Sequence, residues 1–287
     1  NNIDVAYRSL SATDIDDLRN DDNVKVVEGP GGEIRYMVFN FDTMPYGAKA
    51  DNADPAKAKA VRQAIAASID RPALATNVYK DTFAPLYSVV PESMRGANEA
   101  VKDKYLQADG KPDAEKAKKI LEDAGVETPV NIALQYNPDH YGPSSGDEYA
   151  AIKSQLEADG LFTVDLQSTE WVQYAKDRTN DVYPLYQLGW FPDFPDSDNY
   201  LTPFFTLNNF LGNHFEDEKV DTMIRESATE PDHDARDKKI GEIQDYMADE
   251  LSTVPLLQGK QFAIVGKDVE GVVLDSSFML FLGPITK

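Results

Sequence analysis

From Ile34 to Leu251 strand-like and helix-like segments alternate, whereas residues 1–35 and the stretch after Val254 are strand-rich and have no long helix to pack on. The alternation predicts an α/β chain: a sheet covered by helices, with both parallel and antiparallel pairs. The firmest helix opens at Asp54-Pro55, a capping acid followed by proline at the first helical position, and keeps Ala58, Val61, Ile65 and Ile69 on one face. Further helices are expected over Pro72–Tyr79, Asp113–Ala124 (closed by Gly125), Glu148–Ala158, Trp171–Arg178, Lys219–Ala228 and Arg236–Leu251. Strands are expected over Ile34–Phe41, Val130–Tyr136, Phe162–Gln167, Val182–Gly189 and Val254–Val265. The ends add strands at Ile3–Tyr7, Val24–Val27 and Val272–Leu274, with a helical turn at Thr13–Leu18 capped by Thr13. These outer strands read as needing a sheet that the rest of the chain does not supply.

The chain has 287 residues, 41% of them hydrophobic, enough for one large domain or two ordinary ones. Its 50 acidic and 28 basic residues leave a net charge of −22, which repels nucleic acid and anionic membrane surfaces. The densest basic groups, Lys116, Lys118 and Lys119 and then Arg236, Lys238 and Lys239, sit among acids on expected helices. With no cysteine, there are no disulfides, thiolate metal sites or thiol nucleophiles. His140, His214 and His233 stand apart without metal-ligand spacing, and Asp193, Asp196 and Asp198 fail as a calcium loop because Leu201 falls where glycine belongs. No phosphate loop, dinucleotide fingerprint or nucleophile elbow occurs, so neither a metal nor a cofactor is expected. The apolar run Phe278–Leu282 is too short to span a bilayer. The start, Asn-Asn-Ile-Asp-Val, reads as a chain whose leader was removed or as a piece of a longer one.

One stretch invites a ligand. Leu185 to Asp196 is a strand ending in Gly189-Trp190 that opens into a loop stiffened by Pro192 and Pro195, with an acid after each. Trp supplies a flat apolar face, glycine lets a ligand backbone approach, and Asp193 offers a carboxylate to a cation. The plainer alternative makes Trp190 core and the acids solvated turn formers.

With these motifs the chain resembles the extracellular solute-binding proteins of the dipeptide/oligopeptide class (family 5), which serve ABC importers. The resemblance rests on Phe39-Asn40, on Val61 to Arg71 (VRQAIAASIDR), and on the Pro91 loop after Tyr79. It continues through Ala114 to Gly125 (AEKAKKILEDAG), Glu170-Trp171, Gly189 to Asp193 with Asp196, Asp198, Asn199 and Tyr200, and finally Val254-Pro255-Leu256. It implies the C-terminal part of a two-lobed protein: the second lobe of a type II periplasmic-binding-protein-like fold, a mixed sheet flanked by helices. Residues 1–35 would be a first-lobe remnant leading into the hinge, 36–255 the second lobe, and 256–287 the return to the first.

By the same resemblance Asp193 pairs with a peptide's N-terminal ammonium, and Gly189, Trp190 and Phe191 form the strand edge that meets its backbone. Trp171 lines a side-chain pocket and Arg178 faces the same cavity. Gln187 departs from the pattern, standing where some oligopeptide binders carry an arginine for the ligand carboxylate. The implied function is non-catalytic: binding a solute, most simply a peptide, and handing it to ABC permease subunits. The site would be extracellular, on a cell-surface lipoprotein anchored upstream of this chain, or periplasmic. An oligosaccharide binder of the same family is the alternative, with Trp171 and Trp190 stacking on sugars; an acid-pair hydrolase is the rival outside it.

Overall fold

The computed structural model describes residues 3–7 and 10–287. In chain order, β1 (Val5–Tyr7), α1 (Ala12–Arg19) and β2 (Val24–Gly29) lead to the long core strand β3 (Ile34–Phe39). Then come α2 (Pro55–Ser68), the short α3 (Arg71–Ala73), β4 (Phe83–Pro85), α4 (Ala100–Tyr105) and α5 (Ala114–Asp123). A β5 (Val130–Tyr136), α6 (Ser145–Glu157), β6 (Phe162–Ser168) unit precedes α7 (Trp171–Asp177) and β7 (Leu185–Trp190). The chain closes with α8 (Thr202–Phe205), α9 (Glu218–Ala228), α10 (His233–Glu250), β8 (Thr253–Gly259) and β9 (Gln261–Gly266).

Two sheets result. A six-stranded mixed sheet has the order β4-β8-β3-β7-β5-β6, and a three-stranded antiparallel sheet has the order β1-β9-β2. β3 is buried along its whole length because both its faces carry helices. Met37 and Phe39 look toward α2, α5 and α6, where Val61, Ile65, Leu121 and Ile152 are solvent-free. Ile34, Tyr36 and Val38 look the other way, toward Phe204, Phe205, Val220, Ile224 and Ile243. This is the mixed α/β sheet with flanking helices that the alternation predicts.

Local chemistry explains the strongest elements. Asp54 Oδ1 accepts from the N–H groups of Ala56 and Lys57, and Pro55 occupies a position whose N–H would have no partner, so α2 starts there. At its far end Arg71 is fully buried; Nη1 donates to the Ala66 and Ile69 carbonyls at 3.3 Å and Nε to Pro255 O at 2.8 Å. One guanidinium thus caps α2 and ties it to β8.

Several expectations give way. The outer strands pair with each other, β1 and β2 flanking β9, so the ends of the chain supply their own sheet. Its small core is Ala263, Val265, Val269 and Leu274. Val254–Val265 is two strands in different sheets, with only Lys260 between them, and β8 stays in the large sheet to Gly259. Val272–Leu274 forms no strand; the segment is tied by a single bridge between Glu270 and Thr286. Ser11, not Thr13, caps α1, in a reciprocal box with Asp14. The expected Pro72–Tyr79 helix is a single α-turn passing into a π-helical turn over Leu74–Val78.

Candidate functional site

The chain passes between the sheets twice, through residues 30–33 and through Lys260, and the passages touch: Gly259 N donates to the Glu33 carbonyl at 2.8 Å. Beside them lies a cavity of about 460 Å³, in the range of small-molecule sites. Tyr7, Ile15 and Phe262 line it from the small sheet and its helix, and Arg35, Phe83, Tyr141 and Phe191 from the large sheet.

Arg35 is its principal charge. Only 6% exposed, it lies across Tyr141, with the guanidinium 4.7 Å from the ring centroid. Its Nη2 donates to the Tyr141 carbonyl at 3.0 Å and pairs with Glu33 Oε1 at 2.5 Å. Behind the cavity wall Glu148 is fully buried, and its Oε2 accepts from the Tyr79 hydroxyl at 2.8 Å. Burial pushes this carboxyl up to about 7, against the opposing pull of Arg35 and the Tyr79 hydrogen bond.

The residues singled out by sequence fall into four places. Phe191 lines the cavity, and Gly189 lies against Arg35 and Tyr141, which line it too. Gly189 pairs with Arg35 across β3 and β7, and a Cβ there would lie 3.0 Å from the Tyr141 ring and 3.3 Å from the Arg35 stem. Trp171 is one layer removed: it stacks on His140 at 3.7 Å, nearly parallel, and meets Tyr141 edge-on at 5.6 Å. Burial and the nearby Arg35 keep the His140 imidazole below its usual pKa.

Asp193 is exposed on the loop beyond Phe191. Buried Asn199 holds that loop, its Oδ1 accepting from Asp193 N–H at 2.8 Å and from Trp190 Nε1 at 3.1 Å. The other three lie away from the cavity. Trp190 points to the opposite face of the sheet, against Phe204 at 5.2 Å and Phe210 at 5.6 Å. Arg178 is buried beneath β7, donating to Leu211 O and lying 4.7 Å from the Phe210 ring, instead of facing the cavity. Gln187 is 1% exposed; its Oε1 accepts from Asn137 N–H and its Nε2 donates to Ser145 Oγ, which fixes the start of α6.

Sequence reasoning missed Arg35, Glu33, Glu148 and Tyr141. Arg35 carried a usable signal, a charge within the otherwise apolar strand Ile34–Phe39. The others carried none, because their roles arise from juxtaposition across the fold. Elsewhere, Asp42, Asp181 and His214 bring metal-ligating atoms together. Lys49 already bridges both carboxylates, at 2.7 and 3.3 Å. Burial raises the Asp181 carboxyl, but hydrogen bonds from Asn40, His214 and Lys49 outweigh it and hold the group at about 2.

A mixed α/β sheet, a smaller sheet reached by two adjoining passages and a ligand-sized cavity between them define a solute-binding architecture. The chain belongs to the bacterial extracellular solute-binding proteins, family 5, whose profile matches residues 1–212. It is 25% identical over 273 residues to a dipeptide-binding protein of Escherichia coli (strain K12), covering 91% of this chain and 47% of that protein. Heme-binding protein A of Haemophilus influenzae is 25% identical over 276 residues, covering 92% and 46%. Among solved structures, HbpA2 from Haemophilus parasuis superposes with a TM-score of 0.83 at 20% identity, covering 99% of this chain and 53% of that one. A dipeptide-binding protein from Pseudoalteromonas sp. SM9913 in complex with Met-Leu gives 0.75 at 22% identity, covering 100% and 54%. The chain spans about half the length of the curated relatives it matches.

Proposed function

We propose that the protein binds a peptide-class solute between two lobes and presents it to the permease of an ABC importer outside the cytoplasmic membrane. The six-stranded sheet with its helices forms one lobe, and the three-stranded sheet contributes to the other. The observation that carries this reading is the cavity's position: both sheets line it, beside the two passages that join them. A solute held there touches both sides of a hinge, which is the condition for ligand-stabilised closure. The names of relatives, dipeptide-binding in E. coli and Pseudoalteromonas, point to peptides. In this reading Asp193 takes the peptide ammonium and the Gly189–Phe191 edge meets its backbone.

The test is calorimetry on the protein as its gene encodes it, with dipeptides and oligosaccharides compared. Saturable dipeptide binding, with the peptide recovered uncleaved, is expected. An ammonium–carboxylate pair shielded by closure costs about 3–5 kcal/mol to break, so Asp193→Asn should weaken binding about 100-fold or more. Undiminished affinity for the N-acetylated peptide would remove Asp193 from that role.

A further inference from the structure

We propose that Arg35 is the cavity's carboxylate-recognition residue and that Glu33 is an internal carboxylate which a ligand's carboxylate must displace. This inference rests on the solute-binding reading and adds the ligand chemistry of that site.

The geometry of one guanidinium carries it. Arg35 lines the cavity yet is more than nine-tenths buried, and neither its Nε nor its Nη1 has a hydrogen-bond partner. A guanidinium grips a carboxylate by two parallel bonds in only two ways: side-on through Nε and Nη2, or end-on through Nη1 and Nη2. Both use Nη2, the nitrogen that holds Glu33 Oε1. The Tyr141 carbonyl holds one Nη2 hydrogen and Glu33 the other, so Glu33 blocks one bidentate face and leaves the second donor of that face unused.

Glu33 is also placed to leave. Its side chain is 34% exposed, and it sits on the passage from β2 to β3, where its carbonyl accepts from Gly259 on the returning passage. Among the described residues the other cation at the cavity is Lys260, which is paired with Glu28 at 2.7 Å, so of these two Arg35 is the one with unused donors. Exchange of Glu33 for a ligand carboxylate conserves charge at the guanidinium and turns a single contact into a double one. It also frees the side chain of a residue on the passage between sheets, so anion recognition acts where the sheets are joined. Gln187 need not replace an arginine, because the cation comes from the neighbouring strand.

The experiment follows the Nε–Hε resonance of Arg35 in the ¹⁵N-labelled chain, assigned by its loss in Arg35→Lys, during titration with butyrate. In parallel, Ala-Phe and its C-terminal amide are compared by calorimetry. The expected result is a saturable shift with butyrate and half-saturation at least about threefold lower in Glu33→Gln, where the competing state is gone. Ala-Phe should bind more tightly than its amide. If butyrate behaves in this way and Ala-Phe does not bind, the carboxylate subsite stands and the peptide reading fails. If Ala-Phe and its amide bind equally and the resonance stays still, the subsite is overturned and the peptide reading stands. A resonance unmoved in both the native chain and Glu33→Gln overturns the subsite whatever else binds.

Discussion

At the scale of single residues, buried charge decides most of what is distinctive. Glu148 titrates near 7 in the folded chain, against 4.5 for an ordinary glutamate, because burial disfavours its ionised form. The folded state then binds the proton more tightly than the unfolded state. Its contribution is fully present below about pH 4.5 and is lost as pH rises through 7, a swing of about 3 kcal/mol. Glu148→Gln should flatten this part of the stability profile, measured by urea unfolding at pH 5 and pH 8. An unchanged slope would assign the dependence elsewhere. Arg71→Met should cost about 3 kcal/mol, the scale of charge-assisted bonds to buried carbonyls, and lower the thermal midpoint without altering the cavity. Legibility at this scale was uneven. Gly189 and Phe191 were singled out because a strand ending in Gly-Trp-Phe is visible in one dimension, and Phe191 lies on the cavity wall. Arg178 and Gln187 were assigned through the family resemblance, and what they touch depends on which way β7 faces, which a matched motif alone does not state.

At the scale of elements, caps and patterns were the readable part. Asp54-Pro55 marks the start of α2 because a side-chain acceptor and a missing N–H satisfy the helix end together. Asp54→Ala should cost about 1 kcal/mol, read by thermal unfolding. What escaped was the break at Lys260: Val254–Val265 is continuous in β-forming residues, and the change of sheet comes from pairing partners far away in sequence. The two passages between sheets are packed against each other. A Cβ on Gly31 would collide with the Gly259 carbonyl, so the passages approach as closely as bare backbone allows. Gly31→Ala should therefore force them apart. The expected signs are a lower thermal midpoint and faster exchange of the Gly259 amide, whose acceptor is on the neighbouring passage. A variant with native midpoint and exchange would show that the passages separate at no cost.

At the scale of the whole molecule, the two sheets rest on unequal cores. The large sheet is sandwiched between two extensive apolar clusters, whereas among the described residues the small sheet's cluster is Ala263, Val265, Val269 and Leu274 with partly buried neighbours. Local opening follows buried contact, so amides of β2 and β9 should exchange well before those of β3 and β7 by hydrogen-exchange mass spectrometry. Equal protection would mean that the sheets unfold as one unit. The α/β class was legible because helix and strand periods alternate from Ile34 onward. The pairing of the two chain ends was not, because nothing local in Val5–Tyr7 names Ala263–Val265 as its partner.

The position of β3 sets a timetable for synthesis. Ile34 pairs with Trp190 on one side and with Gln258 on the other. A ribosome adding residues at about 5–20 per second delivers this central strand well before its second neighbour, which comes only when β8 emerges. Until then the nascent chain carries an apolar strand with an open edge in the middle of what will be its largest sheet. Pairing across so long a separation in sequence is slow, so that edge stays open to wrong partners until β8 arrives.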